Sequence, residues 1–111
     1  MKTQIVPYGC NDESWATAYD FYNHSNDEHT IAIKIQNYDG TESRDISRTL
    51  EPRGHAQLAP ADIRQLVPGK HTIIVEGPDE LLVTPLMTFR NDSGIAGFGA
   101  LPVHNENILK N

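Results

Sequence analysis

The sequence predicts an all-β fold, a single-domain antiparallel β-sandwich of about seven strands with one short helical turn. Three observations carry that prediction. Runs in which apolar and polar residues alternate recur about every 10 residues, the period of two that a half-buried strand requires. Turn-forming residues such as Asp39-Gly40 and Pro78-Asp79 separate the runs. Helical periodicity is almost absent. The 111 residues fit one domain with a modest core and show no internal repeat or low-complexity stretch.

Residues 1–13 are polar and broken by Pro7, Gly9 and Asn11-Asp12, which predicts a mobile arm or an irregular first strand ahead of a domain over residues 14–103. The first clear strand covers residues 15–21, with Trp15, Thr17, Tyr19 and Phe21 on one face. Seven polar residues, 23–29, form a hairpin loop. Residues 30–36 alternate most cleanly, with Ile31, Ile33 and Ile35 opposed to Ala32, Lys34 and Gln36. Residues 42–50 are polar enough for an edge strand, and residues 55–58 form a short one. Pro60 starts a helical turn over residues 59–66, with Asp62 one turn in. Residues 71–76 are apolar on both faces and predict a central strand. Residues 81–89 make the longest run, but Pro85 cannot donate to a ladder and predicts a bulge, an edge or a change of sheet there. Residues 95–101 form an apolar strand whose Gly97 and Gly99 predict close approach by another backbone or side chain, and residues 104–111 read as a polar tail.

The net charge of −6 is concentrated in residues 1–42, which hold seven acids and two bases. Phosphate binding needs a basic face, so nucleic acid is not an expected partner, with Arg44, Arg48, Arg53 and Arg64 the residues from which a patch would be built. Cys10 is the single cysteine, which rules out an internal disulfide and suits a reducing, cytoplasmic setting. The first residues lack the apolar run of a signal peptide, and no run approaches the roughly 18 residues of a membrane span. A secreted location is expected only if a signal was removed.

His24, Asp27 and His29 share one loop and are the candidate metal ligands, although their spacing matches no established zinc motif. His55 and His71, with Asp62, are the residues from which an acid–base pair would be assembled. No serine lies in a G-x-S-x-G setting, and Cys10 lacks activating neighbours, so no catalytic residue and no cofactor is predicted. Gly94, Gly97 and Gly99 spell a dinucleotide fingerprint in reverse, without the strand-to-helix context that phosphate binding uses. Trp15, Tyr19, Phe21, Phe89 and Phe98 sit in alternating runs and are expected in the core. Tyr22, Tyr38, Lys34 and Gln36 are the candidate interface residues, the last two because they face away from the isoleucines.

The run Y-D-F-Y-N-H-S-N-D-E-H-T-I-A-I-K-I-Q-N-Y-D-G, residues 19–40, resembles the strand, Asn, polar loop, alternating strand and Asp unit of the small sensory-rhodopsin-transducer family. L-E-P-R-G-H at residues 50–55 and I-I-V-E-G-P-D-E-L-L-V-T-P-L-M-T-F-R-N-D at residues 73–92 resemble its later turn and strands. The resemblance implies an antiparallel sandwich that forms a homo-oligomer such as a tetramer and acts as a soluble partner of a membrane receptor's cytoplasmic face. Such a face is rich in Lys and Arg and would suit an acidic protein. DNA binding, also attributed to that group, does not fit the acidic charge, and no site residue transfers.

The function expected is therefore a non-enzymatic binding or adaptor module that self-associates and engages a protein or small ligand. Two alternatives stand beside it. One is a small metal-dependent protein or enzyme using His24, His29, His55 or His71; the other is a fragment of an extracellular structural sandwich.

Overall fold

The structure, a computed structural model, describes residues 1–105, so most of the expected 104–111 tail lies outside the described residues. Its strands are β1 (Lys2–Asn11), β2 (Trp15–Asn23), β3 (His29–Asn37), β4 (Ser43–Leu50), β5 (His55–Leu58), β6 (Gly69–Gly77), β7 (Leu81–Asn91), β8 (Gly94–Ala100) and β9 (His104–Asn105). Helix α1 (Pro60–Leu66) lies between β5 and β6. A five-stranded sheet, order β4-β3-β6-β1-β9, faces a four-stranded sheet, order β5-β2-β7-β8. Every pairing is antiparallel, as predicted for a β-sandwich.

Ile31, Ile33 and Ile35 point inward and meet Phe21, Leu50, Leu58, Ile63, Ile73, Val75, Leu81 and Val83 in one buried cluster. Burying such side chains contributes about 1.5–3 kcal/mol each. The expected short helix is present: Pro60 opens it, the Asp62 carboxylate accepts from the Ala59 N–H at 3.2 Å, and Ile63 is its buried anchor. β4 is an edge strand and β6 a central one, as the polar and two-sided apolar patterns predicted. The register places Arg44 and Arg48 opposite Ile35 and Ile31, so charges stand on the core side of that edge and discourage further pairing.

Four expectations need correction. One is the hairpin loop at residues 23–29, which instead carries the chain from β2 in the four-stranded sheet to β3 in the five-stranded one. Of the other three, the first concerns the arm over residues 1–13 and the domain start at residue 14: residues 2–11 are the irregular first strand that stood as the alternative, held between β6 and β9 inside the domain. Val6 pairs with Ile73 and Gly9 with His71, so β1 spends three steps where β6 spends two. This bulge keeps both Val6 and Gly9 facing inward and hides the alternation from a reader of the sequence.

Pro85 supplies the second correction. β7 runs unbroken through it, paired with Tyr19 of β2. The Pro85 carbonyl accepts from the Leu101 N–H at 3.3 Å, and in an antiparallel strand a residue's nitrogen and carbonyl face the same way. The missing donor therefore faces Leu101, just past the end of β8 at Ala100: the β2 ladder is untouched, and only the reciprocal bond to the Leu101 carbonyl is absent, at the edge where the β8 ladder stops. The irregularity in β7 and β8 falls instead between Phe89 and Arg90.

Third, no group crowds the glycines of β8: a Cβ added at Gly97 or Gly99 would meet nothing within 4 Å. Because these glycines occupy the inward positions opposite Phe89 and Met87, Phe98 lies on the outer face, 80% exposed, and not in the core.

Candidate functional site

The four-stranded sheet carries both surfaces on which partner contact can be built. On its outer face β2 presents Ala16, Ala18, Asp20 and Tyr22. Across the ladder these meet Thr88, Leu86, Thr84 and Leu82 of β7 on one side. Gln57 and His55 of β5 lie beside Asp20 and Tyr22 on the other. Phe98 and Ala100 of β8 extend the same face past Thr88 and Leu86. Leu82 is 51% and Leu86 44% exposed, so with Phe98 the small alanines lie in an apolar field.

A polar chain borders this field. His55 Nδ1 stands 2.8 Å from Asp20 Oδ2, and its ring stacks on Tyr22 with centroids 4.5 Å apart. His24 Nδ1 lies 3.1 Å from Arg53 Nη1 and 3.2 Å from the Tyr22 hydroxyl. Guanidinium can only donate, so His24 Nδ1 accepts and the Tyr22 hydroxyl donates to it as well. Arg53 occupies the left-handed region, φ 59°, in the turn before β5, a conformation that ordinarily favours glycine.

The inner face of the same sheet opens at one end. Along β2, Thr17 and Tyr19 are buried while Trp15, two residues earlier, is 39% exposed. Trp15 packs against Phe89 with ring centroids 4.9 Å apart. With Met87, Gly97, Gly99 and Leu101 they line an apolar groove of about 330 Å³. The absence of side chains at Gly97 and Gly99 is what leaves the groove open.

Deeper in, Tyr19 and His71 form a buried pair, hydroxyl to Nε2 at 2.7 Å. His71 Nδ1 lies 3.2 Å from the Gly69 carbonyl, an acceptor, so Nδ1 carries the proton and Nε2 accepts from the phenol. Burial pushes the Tyr19 phenol well above its usual range, and burial likewise pushes the His71 imidazole down. Both are thus held neutral, and their role is to close the core beneath Gly9.

The sequence-predicted residues are scattered over this frame. His24 is engaged by Tyr22 and Arg53, while Asp27 and the loop around it are held by Asn23, whose buried amide donates to the carbonyls of Asp27 at 2.7 Å and Glu51 at 3.1 Å. His29 opens β3, opposite Leu50. Among the described residues no three His, Cys, Asp or Glu side chains are gathered so that they could hold a metal ion. His55 pairs with Asp20, not with His71 or Asp62: His71 is buried with Tyr19, and Asp62 caps α1. Lys34 and Gln36 lie on the outer face of the five-stranded sheet, flanked by Asp45 and Ile74 and by Ser43 and Thr72. Tyr38 is exposed beneath the Lys70 ammonium, 5.0 Å from its ring centroid. Of the candidate interface residues, Tyr22 alone joins the apolar outer face.

Sequence reading missed the Asp20–His55 contact because it depends on which strands pair. It also missed the apolar field, although one signal was present: in residues 81–89 apolar side chains occupy both parities, more than one buried face can use.

This architecture defines a small β-sandwich module with an apolar sheet surface. No family model matches the sequence, and no curated protein matches it. Among solved structures, the chain is similar in fold to the crystal structure of Thermotoga maritima 1070, at 9% identity over 91% of this chain and 92% of that one, with a TM-score of 0.74. It is also similar to the Anabaena sensory rhodopsin transducer, at 12% identity over 76% of this chain and 80% of that one, with a TM-score of 0.60. These likenesses are of fold, and at that level the second agrees with the resemblance carried by residues 19–40, 50–55 and 73–92. Among the described residues no helix is long and apolar enough to cross a membrane.

Proposed function

We propose that this protein is a non-enzymatic binding module that self-associates and presents the outer face of its four-stranded sheet to a partner protein. The carrying observation is the exposure of Leu82, Leu86 and Phe98 on one continuous sheet face. The outer face of the other sheet instead carries Lys34 beside Asp45, with Glu76 next along the ladder, a pattern that water solvates well. The sensory-rhodopsin-transducer likeness favours an adaptor role of this kind, with a membrane receptor's cytoplasmic face as the partner class. Light scattering on the eluting full chain tests self-association: a mass above 12.4 kDa is expected, and a strict monomer at high concentration contradicts it. A photoreactive residue at Leu86, compared with one at Lys34 in cells of origin, tests the face. Capture of a protein at Leu86 is expected, and capture only at Lys34 contradicts the assignment.

A second reading, chemistry at a histidine, is favoured by the Asp20–His55 contact. With Nδ1 turned to the carboxylate, His55 Nε2 is left as a free lone pair. Zinc titration by calorimetry tests it: saturable heat lost in His55→Ala supports the reading, and no heat at micromolar metal removes it.

A further inference from the structure

Among the described residues the two sheets end in β4 and β9 and in β5 and β8. Three of these edges are blunted in ways that discourage another strand. β4 carries Arg44, Asp45 and Arg48; β5 is four residues long and β9 two. β8 differs. It has seven residues, and the chain carries no charge from residue 93 to residue 103.

The direction of its backbone groups can be read from the ladder. The Leu101 N–H bonds to the Pro85 carbonyl, so by alternation the polar groups of Gly99 and Gly97 also face β7. Those of Phe98 and Ala100 face outward, where no described strand lies. The irregularity at the start of β8 limits clean pairing at one end, and Pro102, which has no N–H, limits it at the other.

We infer that β8 is the self-association edge, pairing antiparallel with β8 of a second copy about a two-fold axis at Gly99. In that register Phe98 of each copy lies opposite Ala100 of the other, and each pair exchanges both of its backbone hydrogen bonds. Gly99 meets its own counterpart in the close, non-bonded position, where the lack of a side chain removes any clash. The four-stranded sheet is doubled, and the two apolar grooves lined by Trp15, Met87 and Phe89 adjoin across the axis. Charge sets where two copies can meet. The chain has a net charge of −6, so most of its surface repels a copy, whereas two uncharged β8 strands bring no like charges together. The interface is isologous and closes at the dimer. It leaves the outer face of the sheet free for another protein.

This inference rests on the self-association proposed above, and cysteine scanning separates the two. A Cβ at position 97 or 99 meets nothing in the isolated chain, so Gly99→Cys and Gly97→Cys both fold. Under mild oxidation the full-length Gly99→Cys protein is expected to run as a covalent dimer. Gly97→Cys stays largely monomeric, because residue 97 lies opposite residue 101 and not its own counterpart. Phe98→Pro removes an outward donor without touching the β7 ladder, and loss of the associated species with an unchanged circular dichroism spectrum is expected. Equal cross-linking at positions 97 and 99, or association unaltered by Phe98→Pro, overturns the β8 interface while self-association stands. A wild-type chain that is monomeric throughout overturns both, including the case in which a foreign strand occupies the edge.

Discussion

Replacing Gly9 with alanine should destabilise the fold far more than its single methyl group suggests. The new Cβ would lie 2.5 Å from His71 Nε2 and closer still to the Tyr19 hydroxyl, between the two atoms of the buried hydrogen bond. Neither ring can yield, since Tyr19 is 1% and His71 0% exposed. Overpacking a closed site costs about 1–3 kcal/mol. Losing the Tyr19–His71 bond with both groups still buried costs about 1–3 kcal/mol more. Against this, alanine restricts the unfolded chain and returns about 0.4–1 kcal/mol. The net loss is about 1–5.5 kcal/mol, set against the 5–15 kcal/mol that holds an ordinary domain. Thermal unfolding should show a midpoint lowered by about 5–40 °C. Tyr19→Phe removes the nearer clashing atom, so Gly9→Ala should cost less in that background than in the wild type. The reasoning is refuted if Gly9→Ala is as stable as wild type, or if the two substitutions simply add.

Further outcomes follow from the same core and its borders. Burial holds the His71 pKa below its free value of 6.5, so below that pH the unfolded chain takes up a proton that the folded one resists. Stability should therefore be full above pH 6.5 and fall as pH drops toward the depressed folded value, seen as a urea midpoint lower at about pH 5.5 than at about pH 7.5. A midpoint that is flat or rises on acidification contradicts it. Asn23→Ala strands the carbonyls of Asp27 and Glu51 and should cost about 2–3 kcal/mol in denaturant unfolding; a neutral result would show that the loop holds itself.

How much of this was legible depended on whether the information was local. The isoleucines of residues 30–36 announce their face by period alone, and the polar content of residues 42–50 announces an edge. The helical turn is visible from Pro60, Asp62 and the spacing of Ile63 and Leu66. β1 was hidden because its bulge breaks the period and because Gln4, an inward residue, is polar: its amide donates to the Leu81 carbonyl at 2.9 Å. Alternation places Phe98 on the face opposite Gly97 and Gly99, but it does not say which face the second sheet covers. Nor does it pair His55 with Asp20, since that contact is set by the register of β2 with β5. The surface of the four-stranded sheet was thus the part least accessible from the sequence, and Lys34 and Gln36 drew attention to the other sheet.

An amide map recorded by NMR over a dilution series tests most directly whether the four-stranded sheet is the working surface. Concentration-dependent shifts are expected at Phe98 and Ala100 and at Met87 and Phe89 beside them, with Lys34 and Gln36 unmoved. Shifts that gather at Lys34 and Gln36, or a spectrum indifferent to concentration, would contradict the account.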